Sequence, residues 1–226
     1  MKKPPEILFI TRNYPPQTGG LEAYSYQLIQ SFEKRHKIGK ITLGRSRLHL
    51  TWFLPLALGR ALFFQTRQRY VPVHLCDGLL SPIGVVLKAL TGTRVSATLH
   101  GLDVTYSNPI YQKVILPCLS RLDQLVCVSR ATRIAACQRG VHNKKCTVIP
   151  NGIDPNTIYD PAAVTLGREI FSHRTGQSLN RRKILLTIGR LVRRKGVAWF
   201  VRNVMPTLDS AWVYLVAGHG PEADRI

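Results

Sequence analysis

Two basic residues and two glycines follow an apolar run in the second half of the chain, and together they could bind an anion. Residues 184–196 read ILLTIGRLVRRKG, so a buried strand would end at Gly189, with Arg190, Lys195 and Gly196 after it. Glycine permits a tight turn at the strand end, and the next helix would direct its free N–H groups toward the same place. The two side chains add positive charge to the helix dipole. The segment therefore predicts a phosphate or diphosphate site.

A second glycine pair lies near the start of the chain, in the sequence PPQTGGLE. Gly19 and Gly20 precede a helical pattern, so the oxygens of a ligand could approach the backbone there. Glycine pairs also open many helices for conformational reasons alone, and the pair by itself does not decide between the two interpretations. Neither G-x-G-x-x-G nor G-x-x-x-x-G-K-[ST] occurs, so nicotinamide-dependent dehydrogenases and P-loop nucleotide hydrolases lose their main support.

Polar residues also follow the strand-like segment VSATL. His100 and Asp103 would lie at the carboxyl end of a parallel strand, where open α/β sheets bind ligands. A carboxylate there can orient an imidazole or accept a substrate hydroxyl. Ser129 and Arg133 follow a later strand, and Asn151 lies in a turn for which a plain hinge is the simpler interpretation. These residues are further candidates for ligand contacts.

The sequence indicates neither a metal cofactor nor disulfide bonds. His100 and Asp103 have no partner at metal-binding spacing, and no Asp-x-Asp motif is present to hold Mg²⁺ or Mn²⁺ on a diphosphate. The five cysteines include no C-x-x-C pair and are odd in number, which favours reduced thiols and a cytoplasmic location. The apolar run ILFIT near the start is too short for a signal peptide.

Short apolar runs alternate with longer helical segments, which is the pattern of a parallel sheet wrapped by helices. We therefore predict an α/β fold with a Rossmann-like sheet. One helix is expected over residues 21–35, where apolar side chains recur at steps of three and four residues. The first six strands are predicted at residues 6–11, 40–43, 73–76, 95–100, 124–129 and 147–150.

The composition of the sequence changes along the chain and indicates two domains. After residue 150 it becomes rich in Asn, Gly, Asp and Pro, and the strand and helix pattern restarts near residue 183. We expect a Rossmann-like domain over residues 1–165, a linker over 166–180 and an incomplete second Rossmann-like domain over 181–226. The second domain would contain strands at 183–188 and 211–217 and a helix at 196–206.

The chain is strongly basic. Its 32 Lys and Arg residues outnumber 12 Asp and Glu, which gives a net charge of +20 and an isoelectric point near 10.4. Nucleic acid, acidic lipid and phosphorylated small molecules are all attracted to such a surface, and a merely solvated basic surface fits equally well. No helix-turn-helix, RNP-like or zinc-finger pattern occurs, so specific nucleic-acid binding is not expected.

Residues 48–64 form the most apolar segment, LHLTWFLPLALGRALFF. His, Thr, Pro, Gly and Arg interrupt it, whereas a membrane-spanning helix needs about 20 mostly apolar residues. We interpret it as a packed helix whose Trp52 and Phe53 end could touch an anionic membrane surface. The nearby arginines that would favour acidic lipid are Arg45, Arg47, Arg60, Arg67 and Arg69.

The order of these pieces resembles one family, the family 4 glycosyltransferases of GT-B fold. The matching segments are PPQTGGLE, LHGLD, VCVSRATR, VIPNGIDP, LLTIGRLVRRKG and VAGHGPE, and they cover nearly the whole chain. The resemblance implies two Rossmann-like domains that face each other across a cleft. Acceptor contacts would lie mainly on the first domain and the nucleotide-sugar donor mainly on the second.

The resemblance also implies roles for the candidate residues. Arg190 and Lys195 would neutralise the donor diphosphate, and His100 would lie near the transferred sugar. Glycines would surround the donor, and polar residues of the first domain would face the acceptor. The donor-side glycines are Gly19, Gly20, Gly189, Gly218 and Gly220, and the acceptor-side candidates are Asp103, Ser129, Arg133 and Asn151.

The implied reaction transfers a hexose with retention of configuration to a hydroxyl of a glycan or lipid-linked acceptor, in surface polysaccharide, lipopolysaccharide or glycolipid synthesis. The family carries two glutamates, separated by seven residues, beyond the G-x-G-P-E turn, whereas this sequence ends at Ile226. We therefore expect a fragment with impaired activity, working in the cytoplasm or on the inner membrane face. The alternatives are a GT-B epimerase or phosphorylase and a non-catalytic basic remnant that binds membranes or polyanions.

Overall fold

The computed structural model describes residues 5–43, 49–68, 70–153, 160–176, 178–179 and 181–226. Arg45, Arg47 and Arg69, which we expected near a membrane surface, lie outside these described residues. The chain divides into two compact units, Met1–Gly152 and Ile153–Ile226.

A six-stranded parallel sheet forms the centre of the first unit and confirms the predicted α/β, Rossmann-like fold. The strands follow the order β2-β1-β3-β4-β5-β6, with every neighbouring pair parallel. Five of the six observed strands end one to two residues before their predicted carboxyl ends. Their bounds are Ile7–Thr11 (β1), Ile38–Thr42 (β2), Val73–Leu75 (β3), Val95–Leu99 (β4), Gln124–Cys127 (β5) and Cys146–Val148 (β6).

Helices cover both faces of this sheet, and β1 shows how the two hydrophobic clusters separate. Leu8 and Ile10 join a large hydrophobic cluster, whereas Phe9 joins Ile29 in a smaller one. Alternate side chains of a strand point to opposite faces, so β1 serves both clusters. The helices are Gly20–Glu33 (α1), Leu50–Arg67 (α2), Ser81–Thr91 (α3), Gly101–Thr105 (α4), Pro109–Arg121 (α5) and Arg130–Cys137 (α6).

Helix α2 is the apolar segment singled out in the sequence. Phe53 is buried with 4% exposure, whereas Trp52 is 78% exposed, so the two aromatic side chains lie on different sides of the helix. Among the described residues, no helix is long and apolar enough to cross a membrane. Of the two aromatic residues only Trp52 is exposed, because one helical step of about 100° separates them, and contact of this end with a membrane stays a prediction.

The second unit contains a two-stranded parallel sheet. Strands β7 (Lys183–Ile188) and β8 (Trp212–Ala217) pair along their whole length, and α8 (Val197–Asn203) lies between them in sequence. The predicted strand at 183–188 is confirmed, and the observed helix ends before residue 206.

The segment that we expected to be a linker is partly helical. Helix α7 (Pro161–Thr175) begins after Asp160, whose Oδ1 accepts the Ala162 N–H at 2.9 Å. Leu179 is fully buried, and its carbonyl accepts a hydrogen bond from Arg168 Nη1 at 2.9 Å. The division between the units at Gly152 thus precedes the boundary expected at residue 165, because a capped helix and a buried leucine fold residues 160–179 into the second unit.

Candidate active site

The carboxyl ends of β1, β3 and β4 bring three polar segments together in the first unit. These strands are neighbours in the sheet, so the residues that follow them share one edge. Arg12 and Asn13 follow β1, Asp77 follows β3 and His100 follows β4. The sequence predicts only the last of these, because Asp77 and Arg12 are 65 residues apart along the chain.

Asp77 holds this edge together. It is fully buried, and its two carboxylate oxygens lie 3.2 Å from Arg12 Nε and 3.2 Å from Asn13 Nδ2. The N–H of Leu79 donates to the same carboxylate at 3.1 Å. A buried carboxylate requires such partners, because an unpaired charge in the interior is costly. Asp77 therefore fixes the course of the loop after β1, which leads to Gly19 and Gly20.

His100 is held on three sides. Its backbone N–H donates to Asp103 Oδ2 at 2.8 Å, and its ring nitrogen Nε2 lies 3.3 Å from the carbonyl oxygen of Cys76. The Tyr24 ring contacts the imidazole edge to face, with 4.9 Å between ring centroids. Burial lowers the pKa of His100, more than the Cys76 carbonyl raises it. The ring is therefore neutral near pH 7, with Nε2 donating to the Cys76 carbonyl.

Asp103 lies beside His100 as expected, but it contacts the backbone of His100 and not the ring. Its carboxyl group is buried, with 6% of the residue exposed. Burial and, to a smaller extent, the negative charge of Asp77 raise the pKa of Asp103 to about 7, while the backbone N–H groups of His100 and Gly78 lower it. Asp103 thus caps the short helix α4 and positions His100. Its acceptor-side role stays a prediction.

A buried polar chain extends from this edge beneath helix α1. Thr98 Oγ1 lies 3.0 Å from Tyr24 OH and 3.0 Å from His74 Nε2, and His74 Nδ1 lies 2.8 Å from Ser96 Oγ. Burial lowers the pKa of His74 to about 4, so this histidine is neutral. The sequence does not predict this series of hydrogen bonds, because alternate polar residues within a strand do not reveal which helix covers them.

The glycine pair Gly19 and Gly20 opens α1 as predicted. Gly20 has open space where a side chain would project, whereas a Cβ on Gly19 would lie 2.3 Å from Glu22 Oε2. Glu22 is buried in the first turn, where the helix dipole favours its negative charge. A carboxylate of the chain itself therefore stands beside the expected anion site, and donor contacts at the two glycines stay a prediction.

The remaining candidates of the first unit have local partners. Ser129 Oγ accepts the Thr132 N–H at 3.1 Å, so Ser129 is the N-cap of α6. Arg133 Nε donates to Asn143 Oδ1 at 2.9 Å. Asn151 follows β6 and is exposed. Neither Ser129 nor Arg133 needs a ligand to explain its position, so acceptor contacts at these residues stay a prediction.

Arg190 and Lys195 lie in the loop after β7, and both side chains are exposed. Within the described part of the chain, no ion pair involves either of them. Lys195 ends a short 3₁₀ turn, Arg193–Lys195, and Gly196 follows in the left-handed conformation with φ of 70°. Two exposed cations in the loop after a parallel strand, without an ion pair among the described residues, fit the predicted diphosphate site.

The loops after β7 and β8 pack against each other through their backbones. A Cβ on Gly218 would lie 1.9 Å from the Gly189 carbonyl oxygen, and one on Gly220 would lie 2.3 Å from the carbonyl oxygen of Leu191. Leu191 N–H also donates to His219 O at 2.9 Å. Glycine is therefore required at both positions by close approach of the neighbouring loop. Contacts of these glycines with a nucleotide stay a prediction.

A cavity of about 360 Å³ lies next to this loop in the second unit. Its lining includes Arg193, Gly196, Trp199, Arg202 and Glu222. Arg190 and Lys195 do not line it, so the cavity borders the expected diphosphate site without containing it. Across the described residues, no group of three His, Cys, Asp or Glu side chains is placed to hold a metal ion. All five cysteines are free.

Comparison with solved structures finds proteins of the same fold. Anabaena Alr3699/HepE in complex with UDP and glucose matches with a TM-score of 0.70 and 16% identity, over 98% of this chain and 63% of that one. Sucrose-phosphate synthase (tll1590) from Thermosynechococcus elongatus matches with a TM-score of 0.73 and 19% identity, over 97% and 65%. The lipopolysaccharide outer core galactosyltransferase WaaB matches with a TM-score of 0.59 and 14% identity, over 97% and 62%.

These likenesses show a shared GT-B fold, and the chain spans about 63% of the length of HepE. No curated protein matches the sequence significantly. The sequence model of Glycosyltransferase Family 4 matches residues 18–157, which is more than half of the chain. The match includes the glycine pair before α1, the His100 and Asp103 edge and the turn at Asn151. The chain therefore belongs to glycosyltransferase family 4.

Proposed function

We propose that this chain supplies the acceptor-side domain and the start of the donor domain of a retaining hexosyltransferase. The enzyme would move a sugar from a nucleotide-sugar donor to a hydroxyl of a glycan or lipid-linked acceptor. The acceptor oxygen forms a bond to the anomeric carbon as the bond from that carbon to the diphosphate oxygen breaks. The hydroxyl proton leaves to the released nucleotide or to solvent, and no residue is assigned as general base.

The observation that supports the donor assignment is that Arg190 and Lys195, in the loop that follows β7, are both exposed. Negative charge accumulates on the nucleoside diphosphate as the glycosidic bond breaks. Fixed cations beside the diphosphate stabilise the transition state more than the ground state, which is the requirement for catalysis. The UDP and UDP-glucose complexes of HepE, which shares the fold, support a nucleotide sugar as the donor.

His100 would contact the transferred sugar as a neutral hydrogen-bonding group. Its lowered pKa and its contacts with Cys76, Asp103 and Tyr24 keep the ring uncharged and fixed in orientation. A rigid neutral ring can orient sugar hydroxyls without attracting the diphosphate. Synthesis of surface polysaccharide, lipopolysaccharide or glycolipid is the setting we propose, and the fold shared with WaaB supports it. Free cysteines favour a cytoplasmic location.

Transfer is tested with protein made from the complete reading frame that contains this chain. The protein is incubated with radiolabelled UDP-sugars and glycan or lipid-linked acceptors, and the anomeric configuration of the product is read by NMR. We expect a glycosylated acceptor with the donor's configuration retained. His100→Ala should lower kcat by roughly 10²-fold, the scale of a lost positioning contact.

Three results would contradict the proposal. Isomerised donor without glycosylated acceptor would indicate an epimerase, and sugar phosphate released from a glycan by inorganic phosphate would indicate a phosphorylase. An inverted product would exclude the retaining mechanism. The matched control is His142→Ala, which removes an exposed histidine at the opposite end of α6 from Ser129 and should leave kcat unchanged.

A further inference from the structure

Helix α2 exposes large apolar side chains on the face that points away from the sheet. Trp52 is 78% exposed, Leu56 54% and Phe63 62%, whereas Phe53 and Ala57 on the other side are buried. Residues 52, 56 and 63 are separated by steps of four and seven, so they lie on one side of the helix. We call this surface, formed by Trp52, Leu56, Arg60, Phe63 and Arg67, the α2 outer face.

Positive charge accompanies the apolar groups on this face. Arg60 and Arg67 are exposed within it, and the Arg67 guanidinium lies 5.1 Å from the centroid of the Phe63 ring. No acidic residue offsets them nearby in the sequence, because every charged residue between Glu33 and Asp77 is a lysine or arginine. A surface helix of a globular protein normally directs polar side chains outward, so this combination needs an explanation.

We propose that the α2 outer face docks on an anionic lipid bilayer. Trp and Phe side chains are suited to the boundary between headgroups and acyl chains, and arginines beside them reach lipid phosphates. The helix would lie on the surface, since no helix among the described residues can cross a membrane. The proposal is independent of sugar transfer, because it rests on residues that belong to no candidate site.

A second copy of this chain is a poorer occupant of the face. Two copies packed through α2 would bring Arg60 and Arg67 of each close to those of the other, without a carboxylate on α2 to pair with them. The net charge of +20 per chain adds to that repulsion. An anionic bilayer instead supplies a dense array of negative charge together with an apolar interior.

Vesicle cosedimentation of the 226-residue chain tests the proposal. Vesicles of phosphatidylcholine alone are compared with vesicles that contain about 30% phosphatidylglycerol. We expect binding to the anionic vesicles that weakens with salt. The double variant Trp52→Ser/Phe63→Ser should lower the partition coefficient at least about tenfold, and Arg60→Gln/Arg67→Gln should lower it at low salt.

Matched controls separate docking from general charge attraction and from misfolding. Trp199→Ser removes a Trp that is 64% exposed in the second unit, and Arg139→Gln/Lys144→Gln removes two exposed cations from the segment that follows α6. Neither control should change partition by more than about twofold. The conservative variant Trp52→Phe keeps an aromatic side chain, so it should bind vesicles normally and lose only the contribution of Trp52 to fluorescence quenching by brominated lipid.

Four results would overturn the proposal. These are no binding to anionic vesicles, equal binding to phosphatidylcholine, equal losses in the α2 variants and the controls, and unchanged quenching in Trp52→Phe. A dimer in sedimentation equilibrium that Trp52→Ser/Phe63→Ser dissociates, in a chain that does not bind vesicles, would assign the face to a second copy instead.

Discussion

Asp77 and Asp103 are two buried carboxyl groups at one sheet edge, and their partners give them different tasks. Asp77 lies against the Arg12 guanidinium and holds the loop after β1. Asp103 accepts the backbone N–H of His100, but burial and the charge of Asp77 make its ionisation costly. At this scale the site is a rigid support for His100, built from residues brought together by neighbouring strands.

The pKa of Asp103 predicts a pH-dependent stability. Since the pKa is raised from 3.8 to about 7, the folded state keeps a proton that the unfolded state loses as pH rises through this range. Stability from this group is therefore lost between about pH 4 and pH 7. The Asp103→Asn variant cannot ionise at this position. As pH rises from about 4 to 7, the unfolding free energy of the unmodified chain should therefore fall by roughly 1 to 3 kcal/mol relative to that of the variant.

Urea unfolding of both proteins at several pH values measures this difference. His74 acts in the opposite direction, because its pKa is lowered to about 4 and stability from it is lost as pH falls below its ordinary value of 6.5. Its contribution is common to both proteins and cancels in the comparison. A difference that is constant with pH, or that grows as pH rises, would contradict the assignment.

At residue level the sequence predicts what lies close along the chain and misses what lies far apart. The proximity of His100 and Asp103, three residues apart, is confirmed. The pairing of Asp77 with Arg12 depends on the order of strands in the sheet, which the sequence pattern does not define. Burial likewise lowers the pKa of His100, and the imidazole contacts the ring of Tyr24, which is distant along the chain.

At the scale of elements, the short apolar runs predict the strands of the sheet well. The recurrence of apolar side chains at steps of three and four residues predicts helix α1 equally well. Helix α7 escapes the same reasoning, because its side chains are largely exposed and show no strong apolar stripe. Helix α2 is apolar on several sides, so periodicity cannot tell that Phe53 faces inward and Trp52 outward. The capping signal Asp160-Pro161 is present in the sequence and could have located the start of α7.

The close packing of the loops after β7 and β8 gives a prediction for one glycine. Gly218→Ala places a methyl group 1.9 Å from the Gly189 carbonyl oxygen, a backbone atom that can move only with the strand. We expect a loss of roughly 1 to 3 kcal/mol in the stability of the second unit. Hydrogen exchange of β7 and β8 amides measures it.

Gly167→Ala is the matched control for this prediction. Gly167 lies inside α7, and a Cβ there meets nothing within 4 Å. Alanine has the higher helix propensity, so this variant should be neutral or more stable by about 0.5 to 1 kcal/mol. Equal exchange rates in Gly218→Ala and the unmodified chain would show that the two loops are not packed as described.

At the scale of the whole molecule, the chain combines a unit with a six-stranded sheet and a unit with a two-stranded sheet. The order of short motifs is enough to recognise family 4, because each motif occupies the carboxyl end of a strand and the strand order is shared by the fold. The sugar and the acceptor are not encoded in those motifs. The choice of sugar and acceptor depends on side chains that contact the ligand from separate parts of the fold. The spacing of residues along the sequence does not reveal which side chains these are.

We propose two anionic ligands for the basic residues of this protein. Arg190 and Lys195 would meet a diphosphate, and the α2 outer face would meet anionic lipid. Both attractions weaken with salt, but the residues are distinct, so variants at one place should leave the other ligand's binding unchanged. The central claim concerns the diphosphate, since it links the family assignment to named side chains of this chain.

Calorimetric titration of the 226-residue chain with UDP tests that claim most directly. The chain, Arg190→Ala/Lys195→Ala and the control Arg174→Ala, an exposed cation of α7, are titrated under the same salt conditions. We predict that the chain and the control bind UDP alike and that the double variant binds at least about tenfold more weakly, as for lost charge-assisted contacts. UDP binding that is equally tight in the double variant, or absent from the unmodified chain, would contradict the account.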